Sequence, residues 1–229
     1  MKFSLIIPAY NEAKNIGAVI TGLVMALRKI GDPFEIVVVD NGSTDETEKV
    51  VKELSRQITE LVSARIFPNE GYGNGILAGL SRATGDVLGW MHADNQISPE
   101  NVAVIYRKLR NENLDLCKAV RTNRDEHWLR IIQSRAYNMF FRLLFGGALR
   151  DINGTPKIFR KKLYKELRLS SLDWFIDPEI VIKALRRGAK IGEVEVKWGM
   201  RPGGSSHVSS GTWIQFVKNL IKYKVGQED

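Results

Sequence analysis

The chain has 229 residues, 44% hydrophobic and 26% charged, with 20 Gly and 7 Pro; this excludes collagen-like, low-complexity and largely disordered chains and supplies one sizeable core rather than two. A single cysteine, Cys117, excludes an internal disulfide framework or a cysteine zinc cluster and fits a reducing compartment such as the cytoplasm. Lys and Arg number 34 against 26 Asp and Glu, a net charge of +8, and the whole excess falls between Arg121 and Arg168, where 12 basic residues face 4 acidic ones. That concentration predicts a phosphate-bearing partner for the segment, against the plainer reading of a solvated basic face.

In chain order, Phe3 to Ile7 reads as a strand closed by Pro8. Its apolar run is too short for a signal-peptide core, so no leader is expected. Asn15 to Ile30 follows with Ile16, Val19, Ile20, Leu23, Val24 and Leu27 at helical spacing. Glu35 to Asp40 is a β-branched strand, and Ser43-Thr-Asp-Glu46 has the spacing of a capping box, which predicts a second helix starting at Ser43. Ala64 to Phe67 is a third strand, Gly73 to Ala83 a third helix, Asp86 to His92 a fourth strand, Pro99 to Asn111 a fourth helix with proline at its start, and Leu114 to Val120 a fifth strand. Strict alternation predicts an α/β fold with a mostly parallel sheet between helices, whose ligand sits at the carboxyl ends of the strands. Beyond Val120 the pattern is less regular, and the longest apolar stretch, Ala136 to Leu149, is too short and too polar to span a membrane.

The turn after the first strand, Pro8-Ala-Tyr-Asn-Glu12, is not glycine-rich, so a dinucleotide fingerprint is absent where it would have to stand. Gly71-Tyr-Gly-Asn-Gly75 lacks the Lys-Ser/Thr of a P-loop and reads as a turn and a close helix start. Asp40 ends its strand where a carboxylate can accept from a base N–H or ribose hydroxyl, or can serve the helix entry with Asn41 and Ser43. In Trp90-Met-His-Ala-Asp-Asn-Gln96 the polar residues are spaced two apart, so His92, Asp94 and Gln96 can project toward one site, and the oxygens of Asp94 and Gln96 suit Mg²⁺ or Mn²⁺ bridging to a diphosphate.

PAYNE, VVVDNGSTDET, NEGYGNGILAGL, ATGDVLGWMHADNQ and DINGTPKIF together resemble the family 2 inverting glycosyltransferases, in particular the dolichol-phosphate mannose synthase-like, polyprenyl-phosphate branch, and the match spans nearly the whole chain. The resemblance implies a GT-A fold over residues 1–229, with a nucleotide-sugar half (1–120) and an acceptor half (121–229). It implies that Pro8, Tyr10, Glu12 and Asp40 hold the nucleoside of a sugar nucleotide, GDP-mannose or UDP-glucose, and that Ala93 and Asp94 meet its diphosphate. The family motif reads Asp-x-Asp where this chain has His92-Ala93-Asp94, so the metal site, for Mg²⁺ or Mn²⁺, falls first to Asp94 and Gln96, with His92 as a neutral ligand, a phosphate contact or a weakening substitution.

The same resemblance makes a polyprenyl phosphate the acceptor, with Arg121 and Arg130, and Arg135 as a further candidate, on its phosphate. Asp151 in Asp151-Ile-Asn-Gly-Thr155 would orient the acceptor or sugar, or act as base toward a hydroxyl acceptor, the same-fold alternative. Arg201 resembles a residue of the family's closing loop, where His207 replaces the usual Lys. Two amphipathic stretches, Tyr137, Phe140, Phe141, Leu144 and Phe145 beside Arg142, and Trp213, Phe216, Val217, Leu220 and Ile221 beside Lys218, Lys222 and Lys224, are either interfacial helices at the cytoplasmic membrane face or core-facing ones. A nucleic-acid-binding module is the rival from another class; no RNA-recognition or zinc-finger spacing supports it, and strand-end acids beside a basic groove would repel a polyanion.

Overall fold

The computed structural model describes residues 1–122, 128–147, 149–199 and 210–225, with only the backbone of 128–130, 210–214 and 216. The elements are β1 (Phe3–Ala9), α1 (Ile16–Arg28), β2 (Phe34–Asn41), α2 (Thr47–Ser55), β3 (Leu61–Ile66), α3 (Tyr72–Arg82), β4 (Val87–Trp90), α4 (Pro99–Asn111), β5 (Leu116–Thr122), α5 (Trp128–Phe145), β6 (Lys157–Arg160), α6 (Lys161–Leu167), α7 (Ile176–Arg186), β7 (Ile191–Lys197) and α8 (Ser210–Lys224). Among the described residues the strands form one sheet of seven in the order β3-β2-β1-β4-β6-β5-β7. Only β6 runs antiparallel, to both β4 and β5, so the other six strands deliver their carboxyl ends to one edge.

Residue alternation along the strands divides the core in two. Phe3, Leu5, Ile7 and Ala9 of β1, with Ile36 and Val38 of β2, pack against α1, α2 and α4; Ile6, Val37 and Val39 face the other side, with α3, α5, α6, α7 and α8. All six residues of the predicted α1 stripe are buried, each contributing about 1.5–3 kcal/mol. β1 lies between β2 and β4, whose connections leave in opposite directions across the sheet, and such a reversal opens a crevice beyond the strand ends. The polar segments after β1 and β2 are tied together at this edge, where the Asn11 N–H donates to Ser43 Oγ (3.0 Å) and the Thr44 N–H to Asn11 Oδ1 (2.9 Å), while the Met91 N–H, one residue past β4, extends the β1–β4 pairing to the Ile6 carbonyl (3.1 Å).

Three local expectations are corrected, and the alternative left open for the aromatic stripe of α5 is decided. Ser43 is not a helix cap: its hydroxyl is taken by Asn11 and its N–H donates to Asp40 Oδ1, so α2 starts at Thr47 after an Asp45 turn whose Oδ1 accepts the Thr47 N–H. β4 ends at Trp90, two residues short of His92, and β3 starts at Leu61 rather than Ala64. The aromatic stripe of α5 turns inward: Tyr137 and Phe141 are buried, and Phe140, Leu144 and Phe145 pack on the same core, because a helix covering the sheet beside α7 and α8 must use its largest apolar face there.

Candidate active site

The edge expected to take a nucleoside is built on β1 and β2. Asp40 is buried, with Oδ1 accepting the Ser43 N–H at 3.0 Å. Its Oδ2 makes no hydrogen bond, although Arg65 Nε stands 3.2 Å away out of alignment, its guanidinium reaching on to Glu48. Asn41 donates to the Gly71 carbonyl (2.8 Å) and keeps an unpartnered Oδ1. Two buried acceptors without donors at a strand edge suit a base N–H or a ribose hydroxyl. Glu12 plays a supporting part, since Oε2 accepts from Asn15 Nδ2 (2.7 Å) and its N–H donates to Thr47 Oγ1 (2.9 Å). Pro8 pairs with Val39 across the β1–β2 ladder.

The glycines after β3 allow close approach, as their spacing suggested. Gly71, at φ +112°, precedes α3, and a Cβ on Gly73 would stand 2.2 Å from the Ser171 carbonyl oxygen. The first turn of α3 therefore lies against the loop before α7, which brings Tyr72 onto Trp174, their rings stacked at 4.2 Å.

Beyond β4 the chain bends, with Asn95 at φ +58°. His92 Nδ1 lies 3.8 Å from Asp94 Oδ2, while Asp94 Oδ1 accepts the Gln96 N–H at 3.2 Å. Gln96 turns away: its Nε2 donates to the Gly199 carbonyl (2.9 Å), which leaves only Oε1 to meet an ion. Ala93 is buried in the core against the α1 and α4 side. Burial pushes the His92 pKa below its ordinary value, against the pull of Asp94, so the ring is neutral at pH 7; its Nε2 has no partner. Among the described residues no three His, Cys, Asp or Glu side chains gather as a metal cage. One carboxylate with one free oxygen and one neutral imidazole fits a hard divalent ion that takes most of its ligands from a diphosphate.

At the end of β5, Arg121 and Asp151 form a two-pronged pair, with Nε to Oδ2 and Nη2 to Oδ1 both at 2.7 Å and the Arg121 N–H to Oδ2 at 2.9 Å. Burial alone would raise the Asp151 pKa, but Arg121 beside it, with Lys118 behind, holds the carboxyl well below the usual carboxylate range. The Arg121 guanidinium also lies over Trp198 at 4.9 Å. In front of this pair opens a cleft of about 520 Å³ between β5 and α5, where Arg135 and Arg142 join Arg121 and Arg150. Arg150 is paired with Glu193 and Glu195, whereas Arg135 and Arg142 make no ion pair among the described residues. Under the cleft, Lys118 is bound to Glu193 (2.8 Å), and Lys157 to Asp177 (2.6 Å), which also accepts from Trp90 Nε1 (3.0 Å). Burial lowers the Lys157 pKa to about 8 against the opposing effect of Asp177.

The structure thus brings Asp94 and His92 together, and Arg121, Arg135 and Asp151 together. Arg130 lies in α5 and its side chain, like Arg201 and His207, falls outside the described residues. Arg142 and Arg150 were not singled out as phosphate contacts, although Arg135 and Arg142 are seven apart and share a helix face, a spacing open to inspection.

A sequence model of glycosyl transferase family 2 matches residues 4–168, most of the chain. The chain belongs to glycosyl transferase family 2. It is similar to the undecaprenyl-phosphate 4-deoxy-4-formamido-L-arabinose transferases of Serratia proteamaculans, 29% identical over 223 residues, and of an Enterobacter species, 31% identical over 222 residues. Each alignment covers 96% of this chain and about two thirds of the relative (67% and 66%). Among solved structures, this family 2 glycosyltransferase resembles glucosyl-3-phosphoglycerate synthase from Mycobacterium tuberculosis in complex with Mn²⁺, UDP-glucose and phosphoglyceric acid, at a TM-score of 0.77 and 19% identity over 100% of this chain and 81% of that one. It also resembles S. aureus TarS in complex with UDP-GlcNAc, at 0.66 and 23% over 100% and 68%. The shared architecture is the GT-A fold that the motifs implied.

Proposed function

We propose that this glycosyltransferase moves a hexose, with inversion at its anomeric carbon, from a UDP- or GDP-sugar to a polyprenyl phosphate at the cytoplasmic face of a membrane. The observation that carries the reading is the arginine cleft: it opens at the end of β5, where Trp198 packs against both Arg121 and His92, and two of its guanidinium groups have no carboxylate partner among the described residues. Such forks suit a phosphate. The undecaprenyl-phosphate acceptor named for the similar bacterial transferases supports the same choice.

In this reading residues 1–120 serve the donor and 121–229 the acceptor. Asp40, with Pro8, Tyr10 and Glu12 around it, receives the nucleoside. Asp94, with His92 and Oε1 of Gln96 near it, would hold Mg²⁺ or Mn²⁺, which neutralises charge on the leaving diphosphate when bound. Ala93, Arg201 and His207 keep the donor-side roles that the resemblance implies. Arg135 and Arg142 receive the acceptor phosphate, with Arg130 a further candidate, and Arg121 aims Asp151 rather than acting alone. A carboxylate held as low as Asp151 is a weak base, which disfavours a hydroxyl acceptor. A phosphomonoester, with a second pKa of about 6, is already largely ionised at neutral pH and needs positioning more than deprotonation.

Exposed residues on α5, which lines the cleft, and on α8 support work at a bilayer. Ile132, Met139 and Leu143 of α5 and Val217, Ile221 and Val225 at α8 are exposed, beside Arg142, Lys218, Lys222 and Lys224. Among the described residues no helix is long and apolar enough to cross a membrane.

The test is incubation of the purified protein with radiolabelled UDP- and GDP-hexoses and undecaprenyl or dolichyl phosphate. Label extractable into butanol is expected with at least one donor; none with any donor overturns the lipid-phosphate reading.

A further inference from the structure

Four aromatic side chains from four separate segments meet around His92. Tyr72 and His92 have ring centroids 5.2 Å apart, His92 and Trp174 6.0 Å, His92 and Trp198 6.3 Å, and Tyr72 stacks on Trp174. Three polar atoms of this group, Tyr72 Oη, His92 Nε2 and Trp198 Nε1, are buried without a hydrogen-bond partner. A folded chain rarely leaves three such atoms unmet in one place, and nothing in the helices or sheet requires it here.

The position is specific. On one side His92 Nδ1 faces Asp94, 3.8 Å away; on the other Trp198 lies under Arg121, whose guanidinium closes the phosphate cleft. In a single-displacement transfer the sugar must sit between the departing diphosphate and the arriving acceptor oxygen. Given the donor and acceptor reading above, on which this inference rests, the gap between Asp94 and Arg121 is where the sugar must sit.

We infer that Tyr72, His92, Trp174 and Trp198 form the subsite for the transferred sugar, with aromatic faces against its C–H surface and the three unmet polar atoms toward its hydroxyl or amide substituents. Trp198 Nε1 can only donate, Tyr72 Oη can donate or accept, and His92 Nε2 can do either according to the ring's tautomer, so the group discriminates the position and kind of substituent. Because none of the three atoms reaches solvent, the rings must part to admit the sugar. Trp174 and Trp198 lie outside the regular elements, before α7 and just after β7; the Trp198 N–H donates to the Thr122 carbonyl at the end of β5 (3.1 Å), so the side chains rather than the backbone would turn.

The test is calorimetric titration, with Mn²⁺ present, of UDP, GDP, UDP-glucose, UDP-N-acetylglucosamine and GDP-mannose into wild type, Tyr72→Phe and Trp198→Phe. Both variants keep an aromatic face and lose one polar atom. The expected result is an unchanged Kd for the nucleoside diphosphate and a Kd for its sugar nucleotide raised about 3–10-fold, the range of one neutral hydrogen bond. Parallel changes in both, or no change in either, overturn the sugar subsite while leaving the donor reading intact. A wild type that binds no nucleotide overturns the donor reading and the subsite with it.

Discussion

At the scale of single residues, the site differs by one charge from the Asp-x-Asp motif that the family resemblance implies. With His92 neutral and Asp94 the one carboxylate beside it, the proposed metal position carries too little negative charge to hold an ion unaided. Calorimetry should therefore detect no Mn²⁺ binding to the protein alone and clear binding once a nucleoside diphosphate is present. Asp94→Ala should abolish both binding and turnover, and His92→Asp should bring measurable Mn²⁺ binding without nucleotide; tight binding of Mn²⁺ to the bare wild type contradicts the assignment. Asp151 and Arg121 are predicted to stabilise the end of β5 as a pair. Asp151→Asn leaves the guanidinium without its counter-charge in a place only 12% exposed, so chemical denaturation at pH 7 should show a loss of up to about 3–5 kcal/mol. Because the folded-state pKa of Asp151 is depressed, its contribution is complete above the unfolded value of about 3.9 and fades as pH falls through the folded one. The gap between wild type and Asp151→Asn should thus narrow only below about pH 4; a gap constant with pH means that the pair is not what stabilises the loop.

At the scale of elements, α3 ties the donor edge to the loop before α7. The Cβ of Gly73→Ala would meet backbone atoms of Ser171 and Leu172 at 2.2 and 2.7 Å, so either the helix or the loop must move. Overpacking of this kind costs about 1–3 kcal/mol. Since Tyr72 and Trp174 ride on those two segments, the substitution should also weaken sugar-nucleotide binding more than it lowers the urea midpoint would explain; a variant with wild-type binding shows that the contact can relax without moving the site. The elements before Val120 were legible because β1, β2 and β4 are mainly apolar and each helix carries an apolar stripe, whereas β3, interrupted by Ser63 and Arg65, was legible only in part. Those after Arg121 were not, since β6 has four residues with two lysines at its ends or beside them, and nothing local marks Lys157 as a buried ion-pair partner of Asp177 twenty residues on.

At the scale of the whole molecule, exposed apolar residues of α5 and α8 lie beside basic ones, with Leu143 76% exposed and Val225 63%. Co-sedimentation with vesicles rich in phosphatidylglycerol is expected, weakened by several hundred millimolar salt and by Ile132→Glu with Leu143→Glu. Neutral vesicles should bind less. Equal partitioning of the double variant and wild type rules out this face as the docking surface.

The sequence by itself determined the alternating α/β core and the family, and it proposed Asp40, Asp94, Arg121, Arg135 and Asp151 as site residues, because apolar periodicity and strand-end polarity are local properties. Tertiary structure alone decided what those side chains face. It closed Arg121 on Asp151, turned Gln96 to Gly199, folded the aromatic stripe of α5 inward and left other apolar residues outside. It also gathered Tyr72, Trp174 and Trp198 around His92 from distant segments. Pairing across such separations follows from sheet order and from which helix face the core has room for, and neither is written in any one segment of the chain.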